Sequence, residues 1–234
     1  MTTDLFIWYN RDYLKKTGFP LRDKIKLFDT FDNKKNKFYS TSEWAVLSYR
    51  QMDFPPQEEK YKFPPKQFLI INQKFKEILF DYIEYHSDVK IVSENLLSFF
   101  REHGLIGGYE TAQIEIVDKK GDVLTDKKYF ALRFGSYDDD FFDFNNKTKQ
   151  RTKVHGSTND TYPDLVLKHK DIKQSIFVLS ELSYRNSLIL TRDVLDKMLN
   201  NFYMPEIYRI SDFPYIYENQ YDLPFDNAYK LKKD

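Results

Sequence analysis

The residues of this chain whose types and spacing suit chemistry are mainly carboxylates. Asp138-Asp139-Asp140-Phe141-Phe142-Asp143-Phe144 follows the apolar run YFALRF and contains an Asp-x-Asp pair. Such a pair at a strand end can hold a divalent cation on a phosphate, because hard cations take carboxylate oxygens. The same residues also suit a solvated acidic loop, or an acidic patch with Phe anchors for a basic protein partner. A second pattern, Pro163-Asp164 with Asp171-Ile172-Lys173, has the loose form of a nuclease site. There two carboxylates bind Mg²⁺ and the Lys orients the attacking water. That chemistry needs Asp171 and Lys173 on a strand that reaches the core, and Lys168 to Lys173 is too hydrophilic for one. His86, His103, His155 and His169 are scattered without metal-ligand spacing. The sequence has no G-x-G-x-x-G, Walker A, H-E-x-x-H or G-x-S-x-G motif.

Composition narrows the field further. With no Cys, the chain has no disulfide scaffold, no Cys-ligated zinc and no thiol nucleophile. Its 36 Lys+Arg balance 36 Asp+Glu, so no general field steers it to nucleic acid or an anionic membrane. Aromatics make up 18% of 234 residues, enough to supply anchors for a protein partner as well as a core. Apolar runs are short, as in Phe68–Ile71, far below the length of a bilayer span. Met1 to Asn10 has neither a basic region nor a long apolar one. The expectation is a cytoplasmic protein with no membrane segment, needing no cofactor or metal.

The elements that must position these residues are read from periodicity. LFIWY (5–9) and WAVLSY (44–49) are strand-like, and Asp32 to Lys37 reads as an exposed turn. The Pro pairs 55–56 and 64–65 frame an extended loop, with a weak possible boundary at 54–66 inside an otherwise single globular domain, 1–234. Phe75, Ile78, Leu79, Tyr82, Ile83 and His86 recur with helical spacing and predict a helix over 73–86. Val89–Val92 is a strand, and Ser93 caps a helix over 93–103, with Gly104 near its end. Residues 110–134 read as a β-hairpin, 136–163 as polar and turn-rich. Leu188–Leu190 leads through Thr191 into a helix over 192–201 and a closing strand at Ile207–Ile210. The tail, 212–234, reads as an irregular arm. The fold class expected is α+β, with a mixed or largely antiparallel sheet and three or more short amphipathic helices. Strand, capped helix and strand recur at 90–116 and 188–210, a local grammar common to mixed α/β domains.

Between Val92 and Asp143 the order of features is more specific. Val92-Ser93-Glu94 opens a short helix with Leu96 and Leu97; Gly104 and Gly107-Gly108 follow. Then come the strand Ala112–Val117, Asp118 and Gly121 in a turn, Tyr129-Phe130-Ala131-Leu132, and the acids Asp140 and Asp143. Together with LILT, RDVLDKML and EIYRI further on, this resembles a family of immunity proteins of bacterial polymorphic toxin systems, over roughly residues 66–210. The resemblance implies a non-catalytic protein that binds and neutralises a cognate toxin domain in the producing cell. It leaves the oligomeric state open. The alternative is a metal-dependent enzyme acting on a nucleotide or phosphodiester through the Asp cluster. An inhibitor of a toxin with a basic, nucleic-acid-binding cleft gains from an acidic patch, so Asp138, Asp139, Asp140, Phe141, Phe142 and Asp143 are the expected partner-binding residues.

Overall fold

The computed structural model describes residues 4–11, 16–46, 54–86, 89–104, 108–154, 156–169 and 171–223. Gly107, His155, Lys170, residues 47–49 and the tail beyond 223 lie outside them, as does the side chain of His86. In chain order the elements are β1 (Leu5–Trp8), β2 (Ile25–Phe28), β3 (Thr30–Asp32), β4 (Lys37–Tyr39), β5 (Lys66–Ile71), β6 (Tyr82–His86), β7 (Val89–Ser93) and α1 (Glu94–Glu102). They continue with β8 (Tyr109–Val117), β9 (Tyr129–Phe134), β10 (Phe142–Asp143), β11 (Gln150–Val154), β12 (Ser157–Thr161), β13 (Val166–Leu167), β14 (Ile176–Phe177), β15 (Leu188–Thr191), α2 (Arg192–Asn201), β16 (Ile207–Arg209) and α3 (Phe213–Glu218). The fold is mixed α+β. Its sheets are mixed or antiparallel, and three α-helices occur among the described residues.

The chain divides into two compact units. Residues 15–99 and 107–136 form one; 1–14, 100–106 and 137–234 form the other. The first holds a six-stranded sheet in the order β2-β5-β8-β9-β7-β6, in which only β5 and β8 run parallel. Its core gathers Ile25, Leu69, Ile91, Ala112, Ile114, Tyr129 and Ala131. The Pro-rich loop 54–66 lies within this unit. Arg133 of β9 fastens it, donating to the carbonyls of Trp44 (2.7 Å) and Tyr61 (2.8 Å) and to Glu110 (3.0 Å). The second unit holds the antiparallel sheet β14-β15-β1-β16. All four residues of β1 are buried because the strand sits between two neighbours.

Each unit contains the same supersecondary arrangement. β7 and β8 are each antiparallel to β9, which lies between them; β15 and β16 are each antiparallel to β1, which lies between them. Both are therefore split β-α-β motifs, the helix being α1 in one and α2 in the other. The Ser93 hydroxyl accepts the N–H of Leu96 (3.3 Å) at the start of α1, as an N-cap does. Gly104 ends that turn at φ +100°, where a Cβ would press on the Gln174 backbone. Thr191 precedes α2, but its hydroxyl faces the Ser175 carbonyl (3.3 Å) and Asp193 instead of a helix N–H.

Three expectations are corrected. There is no helix over 73–86: Tyr82–His86 is a strand paired with β7, and Ile78, Phe80 and Tyr82 alternate inward instead of sharing a helical face. Trp44–Val46 is a single 3₁₀ turn, not a strand; the Trp44 ring packs edge-on against Phe63 at 5.5 Å. The tail is not wholly irregular, because α3 forms with Pro214 in its first turn and buries Phe213 and Ile216. The turn-rich 136–163 also contains the hairpin β11–β12.

Candidate functional site

The Asp cluster lies on the segment leading into β10, and each of its side chains has a different fate. Asp138 and Val178 exchange two bonds: the Asp138 N–H donates to the Val178 carbonyl, and the Val178 N–H to Asp138 Oδ2, both at 2.8 Å. Asp139 accepts the Ser180 N–H (3.0 Å to Oδ2) and the Ser180 hydroxyl (3.1 Å to Oδ1). These two carboxylates fasten the loop to the stretch that continues β14. Asp140 and Asp143 remain exposed to solvent.

The aromatic residues turn the other way. Phe142 is 1% exposed and meets Phe177 edge-on at 5.1 Å. Phe141 packs on Phe177 at 6.0 Å, and Phe144 on Tyr162 at 5.0 Å, both only partly buried. Main-chain pairing of Phe142 with Leu167 and of Asp143 with Val166 sets this inward and outward pattern. The site is thus an acidic rim over an aromatic floor. Phe141 and Phe144 are partly open to solvent, while Phe142 belongs to the core.

Burial pushes the Asp138 carboxyl up to about 6, against the bonds from Val178 and Gln174 that favour the anion; neighbouring Asp139 adds to the rise. A carboxyl raised in the folded state holds a proton that the unfolded chain releases, so its contribution weakens as pH climbs from about 4 to about 6. Asp138→Asn cannot titrate. Its stability relative to wild type should therefore rise across that window by about 3 kcal/mol and then level off. Urea unfolding of both proteins at pH 4 and pH 7 checks this, and an unchanged difference would show that the carboxyl is not desolvated.

Among the described residues the structure does not bring the residues of the alternative chemistries together. Among the described residues no three Asp, Glu or His side chains gather at metal-holding distance. Asp164 lines a cleft of about 340 Å³ with Asp4, Phe6, Arg209 and Ser211, but Asp171 and Lys173 are not among its walls and lie on no strand. His103 follows α1 and its carbonyl accepts the Ser175 N–H (3.1 Å); His169 is exposed. Ser175 donates its hydroxyl directly to Asp193 (2.6 Å). Although burial pulls the other way, hydrogen bonds from Ser175 and Thr191 hold the Asp193 carboxyl below its usual value. These bonds tie the start of α2 to the residue before β14 and to the end of β15.

Sequence reasoning missed Leu182, which is 60% exposed beside this loop. It follows Ser180 by two residues, on a turn whose Ser183 and Tyr184 are buried. Ser183 and Tyr184 hydrogen-bond to the backbones of Asp160 (2.5 Å) and Tyr162 (2.7 Å). The sequence signal was an isolated Leu in a polar run, indistinguishable there from a core residue. No helix among the described residues is long and apolar enough to cross a membrane. The family model described as Immunity protein 43 matches residues 10–225. No curated protein matches the chain.

Proposed function

The chain belongs to the Immunity protein 43 family, and from that premise we propose that it is a non-catalytic immunity protein that binds and neutralises a cognate bacterial toxin domain in the cytoplasm of the producing cell. The family match over most of the chain carries this reading. A toxin domain encoded beside this chain should kill cells that lack it and spare cells that make it. Death of both, with the chain soluble and abundant, would overturn the reading.

The contact surface follows from the acidic loop. Asp140 and Asp143 offer charge to a basic partner, and Asp138 and Asp139 hold the loop in place for them. Phe141 and Phe144 lend their partly open rings, and Leu182 takes the anchor position that buried Phe142 cannot fill. A leucine held outward on a fixed turn loses little further freedom on binding, which suits an anchor.

Charge and anchor separate in kinetics. Asp140→Asn with Asp143→Asn should slow association with the toxin domain and remove most of its salt dependence, leaving the melting temperature unchanged. Leu182→Ala should leave association alone and speed dissociation roughly fivefold or more. Unchanged stopped-flow rates for both variants would move the interface elsewhere without touching the immunity reading.

A further inference from the structure

The unit made of residues 15–99 and 107–136 carries another surface, of opposite character. Phe28, Phe31, Phe38 and Phe68 cluster on the β3–β4 hairpin and the neighbouring strands β2 and β5. Phe31 stacks on Phe38 at 4.2 Å, Phe38 meets Phe68 at 5.8 Å, and Phe28 lies 6.4 Å from Phe38. All four are only half-buried, and none belongs to the buried core of the unit. An aromatic cluster left half-covered outside the core has the composition of an interface centre.

Two turns of similar build flank it. In Asp32-Asn33-Lys34-Lys35, the Asp32 carboxylate accepts the N–H groups of Lys34 (3.0 Å) and Lys35 (3.2 Å). In Asp118-Lys119-Lys120-Gly121-Asp122, the Asp118 carboxylate accepts those of Lys120 (2.7 Å) and Asp122 (3.0 Å). Each turn folds a carboxylate back onto its own backbone and leaves a pair of exposed lysines outermost. Lys37 is exposed beside the first pair, Lys35 reaches back to Asp32 at 3.7 Å, and the Lys66 amine lies 5.1 Å above the Phe68 ring. Gly121 sets the second turn against the cluster. It stands at φ +89°, and a Cβ there would come within 2.4 Å of the Phe31 ring. Beyond it, Val123 is 53% exposed.

We infer that the two lysine-bearing turns and the phenylalanine cluster between them form a docking surface for an acidic, partly apolar segment of a protein partner. An approaching segment meets the exposed ammonium groups of Lys34, Lys35, Lys37, Lys119 and Lys120, which outnumber the one exposed carboxylate of the two turns, Asp122, and then an aromatic patch that an apolar side chain can cover. Single-stranded nucleic acid fits less well, since it needs open ring faces for its bases, and the Phe31–Phe38 stack takes one face of each of these two rings.

The test is a fluorescence-anisotropy titration of the full chain with three probes: a Glu-rich peptide with a central Phe, a Lys-rich peptide of the same length, and a single-stranded oligothymidylate. The acidic peptide should bind at least about tenfold more tightly than the basic one. Lys34→Glu, Lys35→Glu, Lys119→Glu and Lys120→Glu combined should weaken it by about tenfold or more. Gly121→Ala, which pushes the second turn off the Phe31 ring without changing charge, should weaken it severalfold, with an unchanged circular dichroism spectrum showing that the sheet persists. Equal binding of both peptides, no binding of the acidic one, or indifference to the lysine reversals overturns the proposal. Tighter binding of the oligonucleotide, lost on the same reversals, would replace the protein partner with nucleic acid. Protection from a toxin does not enter these readouts, so this surface and the immunity reading stand or fall separately.

Discussion

Replacing Arg133 by Met should lower the unfolding free energy by about 3–5 kcal/mol, the cost of breaking a buried ion pair from one side. Arg133 is 3% exposed, and its guanidinium serves Glu110 and the carbonyls of Trp44 and Tyr61 while lying 4.4 Å from the Phe63 ring centre. Met fills the space of the stem but leaves a carboxylate without its cation and two carbonyls without donors. In thermal unfolding the midpoint should fall by roughly 10 °C. Arg133→Lys should recover part of the loss, because an ammonium keeps the charge but cannot span all three acceptors in one plane. A loss below about 1 kcal/mol would show that the Pro-rich loop holds without this clasp.

Arg11→Met should have a comparable effect in the other unit, again about 3–5 kcal/mol. Arg11 and Glu206 pair at 2.8 Å, each side chain 1% exposed, and Glu206 also accepts the Tyr208 hydroxyl at 2.9 Å. Burial, with Glu206 beside it, pushes that hydroxyl's pKa far up, so it stays a donor. Arg11 also donates to the Leu223 carbonyl (2.7 Å), and Tyr9 to Gln220 (2.6 Å), which holds the segment after α3 against β1. The variant should therefore be cut by protease after α3 faster than its overall stability explains. Combining Arg11→Met with Glu206→Leu and Tyr208→Phe should restore part of the stability, since neither a charge nor the hydroxyl that Glu206 accepted is then left buried and unpaired. If the triple variant is no more stable than the single one, the pair contributes shape and not charge.

The sequence was readable where local and long-range demands agree. Ser93, the helix behind it and Gly104 carry their own start and stop, and α2 spans the residues its spacing predicts. It was unreadable at 73–86. There, Phe75, Ile78, Leu79, Tyr82 and Ile83 fit a helical period, while Ile78, Phe80 and Tyr82 fit a strand. Pairing of Tyr82 with Val92 decides the matter, and no local count contains it. The six-residue α3 was too short to leave a period. In the acidic loop, four Asp residues look alike in the chain. What separates Asp138 and Asp139 from Asp140 and Asp143 is the stretch just after β14, some forty residues downstream, whose N–H groups take two of the four. The immunity reading came from the order of features between Val92 and Asp143, and the family match extends beyond them, over residues 10–225.

The placement of β1 sets a timetable for synthesis. Every strand of the six-stranded sheet lies between Ile25 and Phe134, so that sheet can pair while the remainder of the chain is still being translated. β1 is made before any of them, yet its neighbours β15 and β16 begin at Leu188 and Ile207. At roughly 5–20 residues per second, an all-buried LFIW segment waits about 10–40 s for its sheet. Over that interval it is an apolar nascent-chain segment of the kind chaperones hold. A chain paused after Phe134 has cleared the exit tunnel but before Leu188 is made would carry one finished sheet and one strand with no sheet to join.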